Sequence, residues 1–524
     1  MTCDDSGRIG RLMRRAATFA ALFFCATAIA AQDITLRSVG GGLDLSGRMI
    51  GFDGENIQIE SDFGPLTLRY DKVICEGSEC PDLANYVPEL RFSGARRMAD
   101  VLMPALVESY ARSRQLTVTF TQTDPTYFTQ VLRRTDDPLP VGKFVFRSTN
   151  SDEGFADLFA HEADLVMSVR EVRPSEVERG AEVGLGRLDD PRQSRIVGLD
   201  ALVPVVSARS DVTAISLADL AAAFSGKSID LGGTEPLTLH LGPATDGQVQ
   251  RFVDQVVRAS GAELGGNVVR HTDDAAVAKA VSQDAGALGV LPFNDIGNTQ
   301  AIALRDNCGF ISVPRLTALK TEDYPLTAPM FLYMPQRRLP ALARDFMAWL
   351  RSPQAQLVVR RAEFVDQGAV PIPLDAQGQR FANAIAAAGD DMPLIELQRM
   401  VRVLAARVRL STSFRFEVGS TRLDAQSRSN LLALAQAIRD GRYADRPLML
   451  VGFSDGRGSA DANRDLASAR AEAVLRDLEE VMGGGLPDGT TVETEAFGEA
   501  LPMGCDDTEW GRQMNRRVEL WATQ

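Results

Sequence analysis

Two oppositely charged side chains near the end of the sequence are spaced in a way that suits a charged ligand. The stretch SDGRGSADANRDLASARAEAV, residues 454–474, opens with Asp455 in a glycine-broken turn and reaches Arg470 inside a helical pattern. A carboxylate and a guanidinium that face one space bind a zwitterion, because each forms a charge-assisted hydrogen bond with one end of it. The alternative is structural, with Asp455 as a turn residue and Arg470 as a solvated helix charge.

The surrounding elements determine whether these residues meet. LMLVGF, residues 448–453, is typical of a buried strand, and Asp455 lies in the turn that leaves it. The helical pattern that follows places Asn463, Leu466 and Arg470 at spacings of three and four, which puts them on one helix face. The sequence therefore predicts a strand, a turn and a helix that present these residues together.

Together with AFGEALPMG and GRQMNRRVEL further on, this stretch resembles the OmpA-like peptidoglycan-binding domain in order and spacing. That family's pattern runs through Gly-His-Thr-Asp after a strand, Asn-x-x-Leu-Ser-x-x-Arg-Ala in a helix and Asn-Arg-Arg-Val in a strand. The resemblance implies that Asp455 and Arg470 bind the diaminopimelate of the peptidoglycan stem peptide. The other residues that it implies for this site are Asn463, Leu466, Asn515 and Arg517.

A second candidate binding region lies in the middle of the chain. RFSGARRMADVLMPALVESYA, STNSDEGFADLFAHEADLVMSVREV and DALVPVVSARSDVTAISLADLAAAFSGK, with AGALGVLPF and YPLTAPMFLYM, resemble the periplasmic phosphate-binding proteins that serve ABC importers. The resemblance implies two α/β lobes, joined by hinge strands, that close over an oxyanion held at helix N-termini. The implied ligand-binding residues are Ser93, Gly94, Ala95, Ser148, Thr149, Asn150, Ser168, Arg170, Asp246 and Gly247.

The segment LGPATDGQVQRF departs from that family. Where the family has an arginine followed by Ser-Gly-Thr, Gly242 occupies the arginine position and Asp246-Gly247-Gln248 the other three. The loss of a guanidinium removes a bidentate oxyanion partner, and a carboxylate near a buried anion costs energy unless it is protonated. Ser and Thr residues before helices also act as N-caps without any ligand. Phosphate is the leading ligand, and the alternative is a ligand-free domain that contacts a protein partner.

Composition and charge restrict the functional class. The chain of 524 residues has a formal net charge of −14, whereas nucleic-acid binders present a basic face, so nucleic acid is not an expected partner. The sequence has three histidines and no zinc-type Cys/His spacing or P-loop. We expect a protein that is not an enzyme and that carries no cofactor or metal.

The N-terminus has the pattern of a secretory signal peptide. RIGRLMRR is basic, AATFAALFFCATAIA is apolar and Ala28-Ile29-Ala30 offers a cleavage site, so residues 1–31 are predicted to be removed on export. In the oxidising periplasm Cys75 and Cys80 are expected to form a local disulfide, while the pairing of Cys308 and Cys505 is left open. The predicted location is the periplasm, in association with peptidoglycan or the outer membrane.

Hydrophobic patterning divides the remaining chain into four regions. Residues 32–88 alternate apolar and polar residues between turns and predict a small β-rich domain. Strands alternate with helices over 89–372, which is typical of α/β folds. Residues 373–410 form a connecting segment with an amphipathic helix, and 411–524 alternate strands with helices. The expected architecture is a small β domain, a two-lobed periplasmic-binding-protein domain and an OmpA-like βαβαβ domain.

Overall fold

The computed structural model describes residues 33–137, 139–229, 237–389, 392–417 and 420–523. The predicted signal peptide lies outside these residues. The chain divides into two compact units, one that ends at Leu83 and one that begins at Ala84. Within the described ranges, no helix has both the length and the apolar character needed to cross a membrane.

The unit that ends at Leu83 is an antiparallel sheet with a small apolar core. Its strands are β1 Asp33–Ser38, β2 Asp44–Phe52, β3 Asn56–Ser61, β4 Gly64–Arg69 and β5 Val73–Glu76, with a 3-10 turn at Tyr70–Lys72. They are arranged in the order β4-β3-β2-β1-β5. Cys75 and Cys80 form a disulfide with their Cα atoms 5.8 Å apart, which is the pairing expected from the sequence. The core consists of Ile34, Leu36, Ile57 and Ile59.

The second unit begins with a long mixed sheet and the helices that cover it. Its strands are β6 Glu89–Ala95, β7 Thr117–Asp124, β8 Tyr127–Arg133, β9 Pro140–Thr149, β10 Leu165–Ser168, β11 Ser194–Ser207, β12 Ala214–Ser216, β13 Thr238–Leu241, β14 Val268–Arg270, β15 Ala287–Pro292, β16 Thr299–Ala301, β17 Ala303–Arg305, β18 Ile311–Ser312 and β19 Thr327–Tyr333. Its helices are α1 Met103–Ser113, α2 Ser151–Phe159, α3 Pro174–Glu182, α4 Leu217–Phe224, α5 Gly247–Phe252, α6 Asp274–Gln283, α7 Leu316–Lys320, α8 Ala341–Trp349 and α9 Pro353–Arg361. Short π-helical segments cover Met98–Leu102 and Val253–Val257, and a 3-10 turn covers Arg258–Ser260.

Strand β11 joins two lobes. The sheet runs β14-β13-β15-β11-β19-β10-β6-β9-β8-β7, with β16 also paired to β11, and a separate small sheet has the order β12-β17-β18. The first part of β11 pairs with β19 in the direction of one lobe, and its last part pairs with β15 and β16 in the other. Each lobe packs helices on its portion of the sheet around its own apolar core. The two-lobed α/β fold expected from the sequence is confirmed.

Local helix signals explain where the helices begin and end. Helix α4 begins after Ser216, whose hydroxyl accepts a bond of 2.9 Å from the backbone N–H of Asp219, and the chain then turns at Gly226, where φ is +88°. The helical pattern near residues 340–362 is two helices rather than one. Ser352 caps α9 and Pro353 lacks the N–H that a continuous helix would use, so the chain restarts there.

The C-terminal part is a five-stranded sheet with helices on both faces. The strands are β20 Pro371–Ile372, β21 Arg407–Arg415, β22 Leu448–Phe453, β23 Val492–Ala496 and β24 Arg517–Thr523, in the order β20-β21-β24-β22-β23. Its helices are α10 Gly378–Ala387, α11 Leu394–Ala405, α12 Ala425–Arg439, α13 Ala460–Met482 and α14 Glu509–Asn515, with a 3-10 turn at Asp375–Gln377. The expected alternation of strands and helices is confirmed. The sheet also includes β20, at the end of the predicted central domain, and the first residues of β21 lie in the segment predicted as a connection.

Buried charges hold the central and C-terminal parts against each other. Asp323, which precedes β19, accepts bonds from Arg409 at 2.8 Å and Arg415 at 3.2 Å, both on β21. Behind them the fully buried Glu519 pairs with Arg517 at 2.8 Å and with Arg409 at 3.3 Å, and it also binds Arg380. Burial alone would raise the pKa of Glu519, yet the three guanidiniums outweigh it and hold that pKa well below its usual range. The network is stable because each buried charge has a counter-charge.

A disulfide between Cys308 and Cys505 crosses the same junction. The two Cα atoms lie 5.4 Å apart although the residues are 197 positions apart in the sequence. The backbone N–H of Cys505 donates to the carboxylate of Asp306 at 2.7 Å, and Asn307 donates to Asp507 at 2.6 Å. The pairing that the sequence left open therefore links the central domain to the loop before α14.

Glu519→Gln is expected to lower the free energy of unfolding by about 3–5 kcal/mol near neutral pH, since Arg380 and Arg517 would lose their counter-charge and Arg409 would keep Asp323 alone. The folded-state pKa of Glu519 is depressed, so its contribution is present above the ordinary glutamate value of about 4.3 and is lost as the pH falls towards the folded value. The difference between the two proteins should therefore shrink below about pH 4. Urea unfolding, followed by the fluorescence of Trp521, whose indole N–H donates to Glu519, measures both effects.

Glu472→Gln is the matched control for that experiment, because Glu472 lies on the exposed surface of α13 and pairs only loosely with Arg476, at 3.9 Å. Its substitution is expected to change the unfolding free energy by less than about 0.5 kcal/mol. Equal stability of Glu519→Gln and wild type at neutral pH would contradict the role assigned to the network.

Candidate functional site

Asp455 lies in the turn between β22 and α13, where it pairs with an arginine that precedes β24. Its Oδ2 atom is 3.0 Å from Nη1 of Arg516, and both side chains are largely buried, with 15% and 16% exposed. Its Oδ1 atom accepts a bond of 3.2 Å from the backbone N–H of Arg457. Arg516 also binds Glu509 at 2.6 Å, so it keeps one carboxylate partner even if Asp455 binds a different cation.

Arg470 is a half-buried arginine on α13 that has no ion-pair partner among the described residues. Its Nε and Nη1 atoms are buried and form no hydrogen bond there, and its guanidinium lies 5.7 Å from the ring centre of Phe416. Burial and the neighbouring charge of Arg516 lower the pKa of Arg470, whereas the carboxylate of Asp455 raises it. The guanidinium therefore stands near Asp455 with donors that an anionic group can use.

Asn515 supports the loop beside this pair. Its side-chain oxygen accepts bonds from the backbone N–H groups of Met503 at 2.6 Å and Gly504 at 3.1 Å, and its amide donates to Asp506 at 2.9 Å. Asp506 in turn accepts a bond of 2.7 Å from the backbone N–H of Gly456, next to Asp455. The loop is thereby attached to the turn that carries the candidate carboxylate.

The remaining sequence-predicted residues of this region occupy different environments. Asn463 is buried and donates to Glu499, while Leu466 is 49% exposed on the surface of α13. Arg517 is fully buried, pairs with Glu519 and lies 4.3 Å from the ring centre of Phe453. The structure therefore does not bring Arg517 next to Asp455.

Sequence reasoning missed Arg516, which is the arginine of the Asn-Arg-Arg-Val motif that reaches Asp455. Side chains on a strand alternate between faces, so Arg517 and Glu519, two residues apart, lie on the same side. The Arg-x-Glu spacing at the start of β24 was the available signal that Arg517 has an internal partner. Arg516, the neighbour of Arg517, is then the arginine left for a ligand site.

In the central domain, the strand-end serines differ in their hydrogen bonding. Ser93 donates to the buried Asp157, and Ser168 donates to the carbonyl of Arg170 at 2.7 Å. Ser148 is 4% exposed, and its hydroxyl has no hydrogen-bond partner within the described part of the chain. Of these three hydroxyls, that of Ser148 is the one left for a ligand. The hydroxyl of Thr149 makes two long contacts, 3.5 Å to the carbonyl of Gly94 and 3.4 Å to that of Asn150.

Gly94 and Ala95 serve the packing of the sheet. Gly94 has φ of +138°, and a Cβ atom there would lie 2.0 Å from the carbonyl oxygen of Met167 on β10, so only glycine fits. Ala95 is buried at the end of β6.

Arg170, expected to face the ligand, is already paired. It binds Glu176 at 2.7 Å and also Asp152, and its guanidinium lies 5.0 Å from the ring centre of Phe155. These contacts attach the end of β10 to α2 and α3. An oxyanion would have to compete with two carboxylates for this guanidinium.

The helix N-termini of the cleft are capped by the chain itself. Asn150 accepts a bond of 3.0 Å from the backbone N–H of Glu153 at the start of α2. Asp246 accepts bonds from the backbone N–H groups of Gln248 at 2.8 Å and Val249 at 3.1 Å at the start of α5. These are N–H groups of the kind that an anion at a helix N-terminus uses.

The two capped helices approach each other across the cleft. A Cβ atom on Gly247, at the start of α5, would lie 3.4 Å from Val169 and 3.8 Å from the backbone nitrogen of Ser151, at the start of α2. The lobes are therefore close together at this point.

An ion-pair cluster that the sequence did not indicate connects the lobes beside these helices. Arg97, which follows β6, lies 3.0 Å from Asp200 on β11 and 3.8 Å from Asp274 at the start of α6, and it also binds Asp295. Burial, together with the neighbouring charge of Asp246, raises the pKa of Asp274 to about 6. One arginine of the first lobe is thus surrounded by carboxylates of the hinge and the second lobe.

These two regions correspond to two known families. Residues 108–354 match the model of a PBP superfamily domain, and residues 415–516 match the model of the OmpA family. These two stretches are therefore similar to a PBP superfamily domain and to the OmpA family, the two resemblances that the sequence motifs predicted.

Similar proteins match one part of the chain each. The probable lipoprotein YiaD of Escherichia coli is 28% identical over 105 residues, which cover 20% of this chain and 45% of that protein. The peptidoglycan-associated lipoprotein of Pseudomonas aeruginosa is 33% identical over 117 residues, 22% of this chain and 64% of that one. The chain thus spans less than two thirds of either relative. An ABC-type phosphate transport receptor from Vibrio cholerae aligns with 53% of this chain and 99% of its own, at 16% identity and a TM-score of 0.41.

Arg97→Gln is expected to open the cleft and to lower the free energy of unfolding by about 3–5 kcal/mol, because the buried Asp200 of the hinge and the carboxylates of the second lobe would lose their common cation. Small-angle scattering should give a larger radius of gyration, and urea unfolding should give an earlier midpoint. Arg96→Gln is the matched control, since the adjacent Arg96 is 48% exposed and binds only Asp100 of its own lobe, at 3.3 Å. An unchanged radius together with unchanged stability would rule out a closing role for Arg97.

Proposed function

We propose that this chain is a non-catalytic protein of the cell envelope, exported by its signal peptide, that binds peptidoglycan through the C-terminal domain. The observation that carries this proposal is the half-buried guanidinium of Arg470, with unpartnered donors, near the carboxylate of Asp455. That arrangement suits a ligand with both charges at one end. The match to the OmpA family and the likeness to a peptidoglycan-associated lipoprotein support the choice of ligand.

The ligand is the diaminopimelate of the stem peptide, whose side chain ends in an ammonium and a carboxylate. The ammonium binds Asp455 and competes there with Arg516, which retains Glu509 as its partner. The carboxylate binds the free donors of Arg470. Leu466, exposed one helical turn away, offers an apolar contact to the rest of the peptide.

Asp455→Ala and Arg470→Ala are each expected to weaken binding to purified sacculi by about 10–100-fold, since each removes one charge-assisted bond of roughly 1.5–3 kcal/mol. Co-sedimentation of the mature chain with sacculi measures the effect. The exposed pair on the same helix, Asp461 and Arg464, supplies the controls Asp461→Ala and Arg464→Ala, which should bind like wild type. Wild-type binding by the Asp455→Ala, Arg470→Ala double variant would refute the assignment.

For the central domain we infer binding of phosphate or a similar small anion in the cleft, with an ABC importer as the partner that such binding would serve. The unpartnered hydroxyl of Ser148 supports this inference, as do the starts of α2 and α5, which meet nearby. The alternative is a ligand-free domain that contacts a protein partner. It is favoured by the pairing of Arg97 and Arg170 with carboxylates and by the caps on both helices.

Calorimetric titration of residues 32–524 with inorganic phosphate separates these two functions. A cleft that binds phosphate should give saturable heat, and Ser148→Ala should weaken the affinity by about tenfold, the value of one hydrogen bond to a charged group. Ser113→Ala is the control, because that hydroxyl binds the carbonyl of Tyr110 in α1. Heat that is absent, or that Ser148→Ala leaves unchanged, would favour the ligand-free alternative for the cleft.

A further inference from the structure

A separate cavity of about 250 Å³ lies at the junction of the central and C-terminal domains. Its walls come from the start of β11, the turn between α8 and α9, and the outer side of α12. None of the residues discussed for the cleft or for the Asp455 site lines it.

The cavity is strongly basic in an acidic chain. Among the described residues its lining includes two aspartates, Asp366 and Asp440, against six arginines: Arg195, Arg351, Arg360, Arg428, Arg439 and Arg442. Asp366 is already neutralised, because Lys320 lies 2.9 Å away and Arg360 lies 3.3 Å away. The lining therefore keeps an excess of positive charge, although the whole chain has a net charge of −14.

Arg195 is the residue whose charge is least compensated. Its Nε atom is buried without a hydrogen-bond partner, and the described part of the chain offers its guanidinium no carboxylate within ion-pair distance. Burial, and then the like charge of Arg351, lower the pKa of Arg195 to about 10, so it stays charged at neutral pH. The Nε atom of Arg428, on α12, is also buried without a hydrogen-bond partner, although Nη1 of the same guanidinium pairs with Glu417 at 3.4 Å.

A buried guanidinium without a counter-charge destabilises the folded protein. The cluster is explained if a ligand supplies that charge. A phosphate group suits it better than a carboxylate, because a dianion neutralises both Arg195 and Arg351. Apolar residues of the lining, among them Leu432, which is 42% exposed, give such a ligand an apolar surface to contact.

We propose that this junction cavity binds a phosphate monoester with an apolar substituent, with Arg195 and Arg351 as the main ligands of the phosphate. The proposed function places no ligand here, so this site is additional to the cleft and to the peptidoglycan site. Because its walls belong to both domains, an occupant would add contacts between them.

Phenyl phosphate is the probe, titrated by calorimetry into residues 32–524. Saturable binding is expected, at least tenfold tighter than that of inorganic phosphate, since the ring adds apolar burial. Arg195→Met and Arg351→Gln should each weaken it at least tenfold. Arg192→Gln, which removes an arginine 84% exposed at the surface, should not change it. Any part of the heat that Ser148→Ala removes belongs to the cleft, which separates that site from this one.

Three results would overturn the proposal: no saturable binding up to ~10 mM, equal affinity in Arg195→Met, or a loss in Ser148→Ala that Arg195→Met does not share.

Thermal unfolding provides a second measurement. Without ligand, Arg195→Met should unfold at the same temperature as wild type or higher, because an uncompensated charge is gone. Phenyl phosphate should raise the wild-type Tm and leave that of Arg195→Met unchanged. Equal shifts in both proteins would count against the site.

Discussion

The pairing of buried guanidiniums with carboxylates is the constraint on which the second unit depends. Asp323 of the central domain holds Arg409 and Arg415 of β21, and Glu519 holds Arg409 and Arg517 from within the C-terminal sheet. Buried charged groups of this kind are tolerated only when they are ion-paired, since the loss of one partner leaves the other desolvated and unpaired. The two domains are therefore joined by charges that neither could bury alone, as well as by a disulfide.

The presence or absence of a carboxylate partner separates structural arginines from candidate binding residues. Arg97, Arg170 and Arg517 each lie against carboxylates, and each connects elements of the fold. Arg470 and Arg195 are also partly buried, each with an Nε atom that has no hydrogen-bond partner, yet the described residues give neither an ion pair. A buried charge without a partner is costly unless a ligand supplies the missing charge, and both proposed sites are built on such arginines.

Much of the architecture could be predicted from the sequence, because period-2 and period-3.6 patterns and caps such as Ser216 are local signals. The site residues were harder to predict from the sequence. Arg516 and Arg517 are adjacent and identical in type, and only the strand's alternation, with Glu519 beside Arg517, distinguishes them. The Arg97 cluster joins residues nearly two hundred positions apart, and nothing in the sequence around Arg97 indicates such partners.

The disulfide at the junction also affects the proposed peptidoglycan site. Cys505 is bonded to Cys308 and donates its N–H to Asp306, while the next residue, Asp506, binds the backbone of Gly456 beside Asp455. A short chain of covalent and hydrogen bonds thus runs from the central domain to the turn that carries the candidate carboxylate. Since neither end can shift without breaking one of these bonds, the C-terminal domain would hold the central domain in a fixed orientation relative to a bound stem peptide.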